Sequence, residues 1–358
     1  MPRGGQRGGG SEQEEKKNFS SLSPSTGAQH GRTHARIVRI GSVAMKRRRS
    51  AKDELQKFAV VTWNVEGKLR ALSDHIVDAL EGLITLRPVV LCLLEHWLQP
   101  PPHAASAAAH AWLESCAARH GYDVTWTYSS RKGRDGLVAL VRRSSADTPH
   151  ALRLVAPPRE PPLFSEACGR WRLIHVELES MHVLLVYAPN SGNPEKSASG
   201  ERRPKRLAFW LDEWEASMRA LASQLQRSSG EPKPLLVQGD LNVARSRELD
   251  CYGSTAKEWG YYTMPGRTEE EARALQRMLD EASLVDGFRW LHPTERSATC
   301  WASFREQWKR YDYALASEAL VSDAGVGGVR LVDVRHLSDA FQGAHPDHVP
   351  VESVFTVC

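Results

Sequence analysis

Short apolar runs alternate with amphipathic stretches from residue 58 to the end of the chain. Residues 58–65, 89–94 and 235–238 are rich in valine and leucine over the length of a strand, which predicts buried strands. Residues 69–86 have apolar side chains at helical spacing, and Pro88 ends that stretch because the residue before a proline disfavours helix. This succession of strands and helices is typical of an α/β fold.

The remaining elements follow from the same periodicities. Helices are predicted over residues 104–120 and 207–226, and a third runs from the N-cap Thr268, followed by three glutamates, to about Ala282. Further strands are predicted over residues 123–128, 136–142, 171–177, 182–187, 299–304, 310–316, 329–334 and 349–357. The polar stretch 195–206 is predicted to be a loop. The series contains no solenoid-type repeat, so residues 58–358 are expected to form one domain.

Charge is distributed unevenly along the chain. The chain carries 47 Lys and Arg against 43 Asp and Glu, and residues 1–57 hold 13 and 5 of these, which leaves 34 against 38 for residues 58–358. The Gly-, Ser- and Glu-rich composition of residues 1–57 cannot bury enough apolar surface to fold, so we expect a disordered basic tail. The run Lys46-Arg47-Arg48-Arg49 in this tail is typical of a nuclear localisation signal, and we expect a nuclear protein.

The six cysteines indicate a reducing environment. They lie at positions 92, 116, 168, 251, 300 and 358, without the Cys-x-x-Cys spacing of zinc or redox sites. With no secretory apolar segment, we expect reduced thiols inside a cell. No apolar run reaches the length of a membrane span, so no membrane partner is expected.

Polar side chains recur where the predicted strands end. They are Asn64, Glu66, Glu95, Tyr187, Asp240, Asn242, Asp312, Asp347 and His348. Asp240 and Asn242 are two positions apart, so on an extended backbone they project to the same side. A strand followed by an Asx turn is the alternative explanation for that pair alone. A repeated set at strand ends, however, is how an active site is assembled on an α/β scaffold.

The chemical types in this set indicate one reaction class. Several carboxylates and amides suit a hard divalent cation, most of all Mg²⁺, with Mn²⁺ as the alternative ion. The chain has neither a serine or cysteine nucleophile elbow nor a glycine-rich phosphate loop. These residues therefore predict metal-assisted attack of water on a phosphate ester.

Six motifs, in order, carry a resemblance to a known family. They are Trp63-Asn64-Val65-Glu66-Gly67, Leu91-Cys92-Leu93-Leu94-Glu95, Tyr187-Ala188-Pro189-Asn190, Gly239-Asp240-Leu241-Asn242-Val243-Ala244, Arg310-Tyr311-Asp312-Tyr313 and Asp347-His348. With these motifs, residues 58–358 resemble the exonuclease III-type AP endonucleases of the endonuclease/exonuclease/phosphatase (DNase I-like) superfamily. The resemblance implies a four-layer α/β sandwich, in which two mixed β-sheets pack face to face with helices outside.

The resemblance also implies roles for individual residues. The implied metal ligands are Glu95 as the main ligand, with Asn64, Glu66 and Asp347, and with contributions from Asp240, Asn242 and His348. Asp240 would orient or deprotonate the attacking water, with Asn242 beside it. Tyr187 and Asn190 would contact the phosphate. His348, held by Asp312, would stabilise charge on the phosphoryl oxygens. Arg131 and Trp308 are further candidates for contact with the substrate.

The implied activity is Mg²⁺-dependent cleavage of damaged double-stranded DNA at apurinic or apyrimidinic sites by a monomer, in base excision repair. A 3′-exonuclease or 3′-phosphodiesterase activity is the expected accompaniment. The segment before Asp312 departs from the family, since Cys300 stands where an aromatic is often seen and Trp308 is displaced from its usual spacing. The alternatives are a retrotransposon-type DNA endonuclease, which the run Glu95-His96-Trp97-Leu98 resembles, and a superfamily phosphatase acting on a small phosphate ester.

Overall fold

The structure, a computed structural model, describes residues 56–131, 133–196, 202–227, 233–253, 264–302, 307–322, 328–338 and 347–357. The predicted basic tail, except for its last two residues, and its localisation signal lie outside these ranges. The five cysteines that are described carry free thiols. Within the described ranges, no helix is long and apolar enough to cross a membrane.

The strands of the described ranges belong to four sheets. They are β1 Lys57–Asn64, β2 Val90–Leu94, β3 Tyr122–Thr127, β4 Leu137–Arg142, β5 Leu154–Arg159, β6 Leu173–Leu178, β7 His182–Tyr187, β8 Pro194–Lys196, β9 Arg202–Pro204, β10 Leu235–Asp240, β11 Cys251–Gly253, β12 Leu284–Asp286, β13 Cys300–Ala302, β14 Gln307–Lys309, β15 Asp312–Ser317, β16 Val329–His336 and β17 Val351–Val357. Sheet A has the order β16-β17-β1-β2-β4-β3, and sheet B the order β12-β15-β10-β7-β6-β5. A three-stranded sheet, β11-β14-β13, and the hairpin β8-β9 complete the set.

The described ranges contain the α-helices α1 Asp74–Thr85, α2 Ala104–Arg119, α3 Glu215–Arg227, α4 Glu269–Glu281, α5 Gly287–Leu291 and α6 Glu318–Val321. The first four cover the outer faces of sheets A and B, whereas α5 and α6 contribute Phe288 and Leu320 to the core between the sheets. One apolar core joins the facing sides of the two sheets, for example through Val60 of β1 and Leu236 of β10. A second core packs α1 and α2 on sheet A, and a third packs α3 and α4 on sheet B. Both large sheets contain parallel and antiparallel pairs, so the predicted four-layer sandwich is confirmed.

Local sequence signals account for several element boundaries. Helix α4 begins after Thr268, whose hydroxyl accepts a hydrogen bond from the Glu271 backbone while the Glu271 carboxylate accepts one from the Thr268 backbone. This capping box confirms the predicted N-terminus. The predicted helix over residues 69–86 is wrong at its start, because a 3₁₀ turn ends at Leu72 in the left-handed conformation before α1 begins.

Two other predicted elements need correction, and strand β5 was not predicted. Residues 195–206 contain the hairpin β8-β9 where a loop was predicted. The helix predicted from residue 207 opens as a π-helical turn, Phe209–Trp214, before α3. Strand β5 was missed because it is an edge strand whose side chains alternate between partly buried and exposed, and it contains Pro157 and Pro158. Proline is confined to strand edges, so it reads as a strand breaker in a sequence.

A buried glutamine fastens the two sheets together just below their common edge. The Gln238 side chain on β10 donates to the backbone carbonyls of Val60 and Val351 and accepts a hydrogen bond from the Ser353 hydroxyl. The next residue, Gly239, has φ +144°, and a Cβ there would lie 2.0 Å from the Val186 carbonyl oxygen. Only glycine fits this approach of β10 to β7, and the approach fixes the position of Asp240.

Candidate active site

Strand register brings the predicted catalytic side chains to one edge of the sandwich. In sheet B, Asp240 pairs with Tyr187 on one side and with Asp312 on the other, so the three side chains share one face. In sheet A, Asn64 is the last residue of β1, and Glu95 directly follows β2. The Asn64 amide joins the sheets, because its Nδ2 lies 2.8 Å from Glu95 Oε1 and 3.0 Å from Asp240 Oδ2.

Asp240 and Asn242 form a tight local unit. The backbone N–H of Asn242 donates to Asp240 Oδ1 over 2.7 Å, which is the geometry of an Asx turn. Asn242 also donates from Nδ2 to the Ala188 carbonyl and accepts at Oδ1 from Asn190 Nδ2. The Asx turn and the polar cluster are therefore compatible explanations of this sequence. The turn holds Asp240 and Asn242 beside Asn190, the residue expected to contact the phosphate.

Asp312 and His348 form a buried hydrogen-bonded pair. His348 Nδ1 lies 2.7 Å from Asp312 Oδ2, and the His348 backbone carbonyl accepts from the Trp63 indole. Burial alone would lower the pKa of His348, but Cys300 and Asp312 outweigh it and hold that pKa well above its ordinary value. A carboxylate at the imidazole nitrogen favours the charged ring, so His348 supplies a positive charge at neutral pH.

Carboxylates outnumber cations at this edge. Burial, then Asp312 and Glu95, raise the pKa of Asp240 to about 7, although His348 opposes the shift. Burial and the neighbouring Asp347 carboxylate likewise raise the pKa of Glu66. Like charges crowded at short range raise a pKa in this way when no cation screens them.

Three of the site residues also have strained backbones. Glu66, Glu95 and Asn242 have φ values of 45°, 54° and 54°, in the left-handed region that non-glycine residues rarely adopt. Such conformations cost about 1–3 kcal/mol each and cluster at functional sites. The sheet edges and the hydrogen bonds described above therefore hold these side chains in place at a cost in stability.

The donor set fits a divalent cation. Ligand atoms of Asp240, Asp312 and His348 lie within 4.8 Å of one another, and Asn64 joins this group to Glu95. Oxygen atoms dominate the cluster, which is the preference of Mg²⁺ and Ca²⁺ rather than of zinc. A cation there would also relieve the repulsion that raises the pKa of Asp240.

An arginine that the sequence analysis missed lies beside Tyr187. Arg172 is 7% exposed and holds its guanidinium carbon 4.9 Å from the centre of the Tyr187 ring. Its Nη2 lies 3.6 Å from the Asp135 carboxylate, whereas its Nη1 has no hydrogen-bond partner among the described residues. Burial and the nearby Glu95 raise the pKa of Tyr187 well above its ordinary value, so its hydroxyl stays a donor. No sequence motif identified Arg172, because its position beside Tyr187 depends on the pairing of β6 with β7.

The two other candidate contacts lie at the rim. Arg131 is exposed, with Nε 3.9 Å from the carboxylate of Asp135. Trp97, which lies under Arg134 of the same loop, donates from its indole to Glu95 Oε2. Trp308 is 43% exposed on β14, outside the hydrogen-bonded cluster. The structure therefore brings the predicted catalytic and metal residues together and leaves Arg131 and Trp308 as predictions of substrate contact.

Known proteins share this architecture. Residues 61–339 match the sequence model of the endonuclease/exonuclease/phosphatase family. An exodeoxyribonuclease of Bacillus subtilis is 26% identical over 83% of this chain and 99% of its own length. A DNA-(apurinic or apyrimidinic site) endonuclease of Dictyostelium discoideum is 24% identical over 78% of this chain and 68% of its own length. Among solved structures, an AP endonuclease from Leishmania major is similar in fold, with TM-score 0.63 and 23% identity over 84% of this chain and 88% of that one.

Proposed function

Because this chain belongs to the endonuclease/exonuclease/phosphatase family, we propose that it is a Mg²⁺-dependent DNA phosphodiester hydrolase of the exonuclease III type. Its substrate is double-stranded DNA with an apurinic or apyrimidinic site, cut as a step of base excision repair by the monomeric protein. Processing of 3′ ends, as an exonuclease or phosphodiesterase, is the accompanying activity. We further propose that residues 1–57 are a tail that directs the protein to the nucleus.

One observation carries this proposal. Asp240 touches both halves of the site: the Asn64 amide links it to Glu95 of sheet A, and β15 places Asp312 with His348 at its other side. A hydrolase needs a base for water, a cation at the phosphate and a donor for developing charge within a few ångströms. In this chain, Asp240, the proposed base, lies between Asn64 and Glu95, which would contact the cation, and Asp312 with His348, which would supply the donor.

The chemistry of the side chains assigns their roles. Asp240, with its raised pKa, takes a proton from the attacking water, and Asn242 positions that water beside it. Tyr187 and Asn190 donate to non-bridging phosphate oxygens. The His348 imidazolium, oriented by Asp312, stabilises the charge that grows on those oxygens as the bond to the leaving group breaks.

Glu95, Glu66 and Asp347 hold the divalent ion in this proposal, with Asn64 between Glu95 and Asp240. When bound, Mg²⁺ neutralises the phosphate and polarises its oxygens. The excess of carboxylates over cations at the site supports this role.

A panel of substrates tests the proposal. A duplex with a tetrahydrofuran abasic analogue, the same duplex intact, a duplex with a 3′-phosphate end and an inositol phosphate are each incubated with and without Mg²⁺. We expect Mg²⁺-dependent cutting at the analogue, lost in Glu95→Gln and kept in Asp78→Asn, whose exposed carboxylate lies on α1. Hydrolysis of the inositol phosphate with no cutting of any duplex would instead establish a small-molecule phosphatase.

One observation favours a second candidate function, in which 3′-end processing exceeds cleavage at internal abasic sites. The segment before Asp312 turns Cys300 and Lys309, rather than an aromatic side chain, to the same side as the buried Cys251, as their mutual register shows. The aromatic wall that the family resemblance implies for an abasic pocket is therefore missing from these positions. A higher kcat/KM on the 3′-phosphate duplex than on the internal abasic analogue would bear this ranking out.

A further inference from the structure

The indole of Trp97 is hydrogen-bonded to the carboxylate of Glu95, the main metal ligand of the proposed function. Trp97 Nε1 donates to Glu95 Oε2 over 3.1 Å, and the Asn64 amide donates to Glu95 Oε1 over 2.8 Å. Each carboxylate oxygen of Glu95 therefore accepts one hydrogen bond from a neutral donor. A carboxylate oxygen has two lone pairs, so each oxygen keeps one for a cation.

The ring of Trp97 packs against the chain segment that follows β1. A Cβ at Gly67 would lie 2.2 Å from Trp97 Cε3 and 2.4 Å from Trp97 Cδ2, so only glycine leaves room for the ring. Gly67 has φ +74°, and its backbone N–H donates to the Glu95 carbonyl over 2.7 Å. The same glycine therefore holds the Glu95 backbone and makes space for the indole that bonds the Glu95 side chain.

The loop before β4 also holds Trp97. The Trp97 backbone N–H donates to the Asp135 carbonyl over 3.0 Å, and the Arg134 guanidinium carbon lies 5.0 Å from the centre of the ring. Trp97 itself has φ +57°, which is an outlier for a bulky side chain. Such strained conformations persist only where the surrounding contacts over-determine them. These contacts therefore fix the direction of the indole N–H as well as the place of the ring.

Packing alone does not account for a tryptophan at this position. Trp97 is partly exposed, so its apolar surface contributes less to the core than a buried ring would. A phenylalanine would occupy much of the same space beside Gly67, but it has no N–H to donate to Glu95. Indole is a donor only, so it cannot bind a cation itself. Tryptophan thus combines a ring that fits against Gly67 with a neutral donor that orients the carboxylate and leaves its charge intact.

We propose that Trp97 is a positioning residue for the divalent cation: its indole holds Glu95 in the orientation that leaves both carboxylate oxygens open to the ion. This inference rests on the proposed function, because the ion that Glu95 would bind is part of it. Groups that orient metal ligands by hydrogen bonds contribute about 10- to 100-fold to metal affinity. Trp97 therefore acts on the affinity of the site for the ion, and it does not touch the substrate.

Metal binding is measured directly, so that no turnover is required. The full chain is treated with EDTA, freed of the chelator and titrated with Mn²⁺, and free Mn²⁺ is followed by electron paramagnetic resonance. Trp97→Phe keeps an aromatic ring and removes the N–H. A second variant carries benzothienylalanine at position 97, which keeps the bicyclic shape and has sulfur in place of the N–H. Trp126→Phe is the matched control, because the Trp126 indole donates to the exposed carboxylate of Glu114 over 3.2 Å.

We expect the Kd for Mn²⁺ to rise about 10- to 100-fold in both position-97 variants and to be unchanged in Trp126→Phe. The Mg²⁺ concentration for half-maximal cleavage should rise with it, while kcat at saturating Mg²⁺ stays near the wild-type value. Equal Kd values in the benzothienylalanine variant and in Trp126→Phe would overturn the inference and leave the proposed hydrolysis intact. A wild type that binds no Mn²⁺ would overturn the inference whatever the DNA assays show. A Kd that rises as expected in a protein that cuts no DNA substrate would overturn the hydrolysis alone.

Discussion

Two clusters of buried aspartates come from neighbouring stretches of the sequence, since Asp250 follows Asp240 by ten residues and Arg310 precedes Asp312 by two, yet their electrostatics are opposite. The catalytic cluster contains Asp240 and Asp312, and the second cluster contains Asp250 and Asp286 around Arg310, only two residues from Asp312. All four carboxylates are at most 3% exposed. Asp250 and Asp286 are buried in ion pairs that stabilise the fold, whereas Asp240 and Asp312 are buried in the proposed catalytic site.

The arginine cluster is electrically balanced. Arg310 is fully buried and donates to both aspartates, at 2.8 Å to Asp250 Oδ1 and 3.0 Å to Asp286 Oδ1. Arg289 adds a further bond to Asp250 at 2.5 Å. Burial raises the pKa of Asp250, but Arg310 and Arg289 outweigh it and hold that pKa below its ordinary value. These bonds clamp the start of β15 in position.

The catalytic cluster is left unbalanced. The pKa of Asp240 is raised, and the nearby His348 forms its hydrogen bond with Asp312 rather than with Asp240. A site evolved for stability alone would pair these charges as the arginine cluster does. In this fold, unpaired buried acids, more than buried acids as such, mark the site that we propose receives a cation and a phosphate.

The largest expected effect is on catalysis, from Asp240→Asn. The amide keeps the shape of the side chain but cannot accept the proton of water, so we expect cleavage to fall about 10²- to 10⁴-fold. The fold should be as stable as the wild type or more so in EDTA, since a crowded charge is removed. Single-turnover cleavage and urea unfolding measure the two quantities. Asp250→Asn is the matched control, and a larger catalytic loss per folded molecule there would refute the distinction between the clusters.

The next effect is on stability, from Arg310→Met. Removing one partner of a buried ion pair costs about 3–5 kcal/mol, because Asp250 and Asp286 lose their shared cation. We expect this loss in the free energy of urea unfolding, with cleavage per folded molecule little changed. A triple variant that also carries Asp250→Asn and Asp286→Asn should recover part of the loss. An Arg310→Met protein of unchanged stability would show that the cluster is not structural.

The sequence predicted some of these features and could not predict others. Helix α4 was predictable because its cap, Thr268 with Glu271, is local. The site residues could be identified because each lies in a short motif at a strand end. Arg172 and Arg310 could not be, since their partners become neighbours only through strand register and tertiary contact. The orientation of Trp308 likewise depends on the pairing of β14 with β13, which no local periodicity specifies.

Removal of divalent cations should affect only the unbalanced cluster. A ligand at 100 times its Kd stabilises the folded state by about 2.7 kcal/mol, so Mg²⁺ added after EDTA should raise the unfolding free energy of the wild type by that order. Glu95→Gln should lose most of this gain. Arg310→Met should show the same Mg²⁺-dependent increase as the wild type, from a lower unfolding free energy in EDTA. An equal gain in the wild type and in Glu95→Gln would place the bound ion elsewhere.

The two clusters should also give opposite pH dependences in EDTA. The raised pKa of Asp240 means that its contribution is complete below its unfolded value, about 3.9, and is lost as pH rises through about 7. The lowered pKa of Asp250 means that its contribution is complete above the unfolded value and is lost in acid. As the pH rises from 5 to 8, the unfolding free energy of Asp240→Asn should therefore increase relative to that of the wild type. The unfolding free energy of Asp250→Asn should show no such increase. The same pH dependence of the unfolding free energy in both variants would contradict this prediction.

The smallest expected effect is that of replacing Arg172, which shares features with both clusters. Arg172 is paired with Asp135 through Nη2, like the structural arginines, yet its Nη1 has no partner among the described residues, beside Tyr187. Arg172→Lys keeps the charge but loses the planar guanidinium that can lie over the Tyr187 ring and donate to a phosphate oxygen at the same time. We expect kcat/KM to fall about 2- to 10-fold, the worth of one hydrogen bond, and mainly through kcat. Loss of stability with unchanged kinetics would instead make Arg172 a structural residue, and Arg170→Lys, two positions earlier and paired with Glu160 at the surface, is the control.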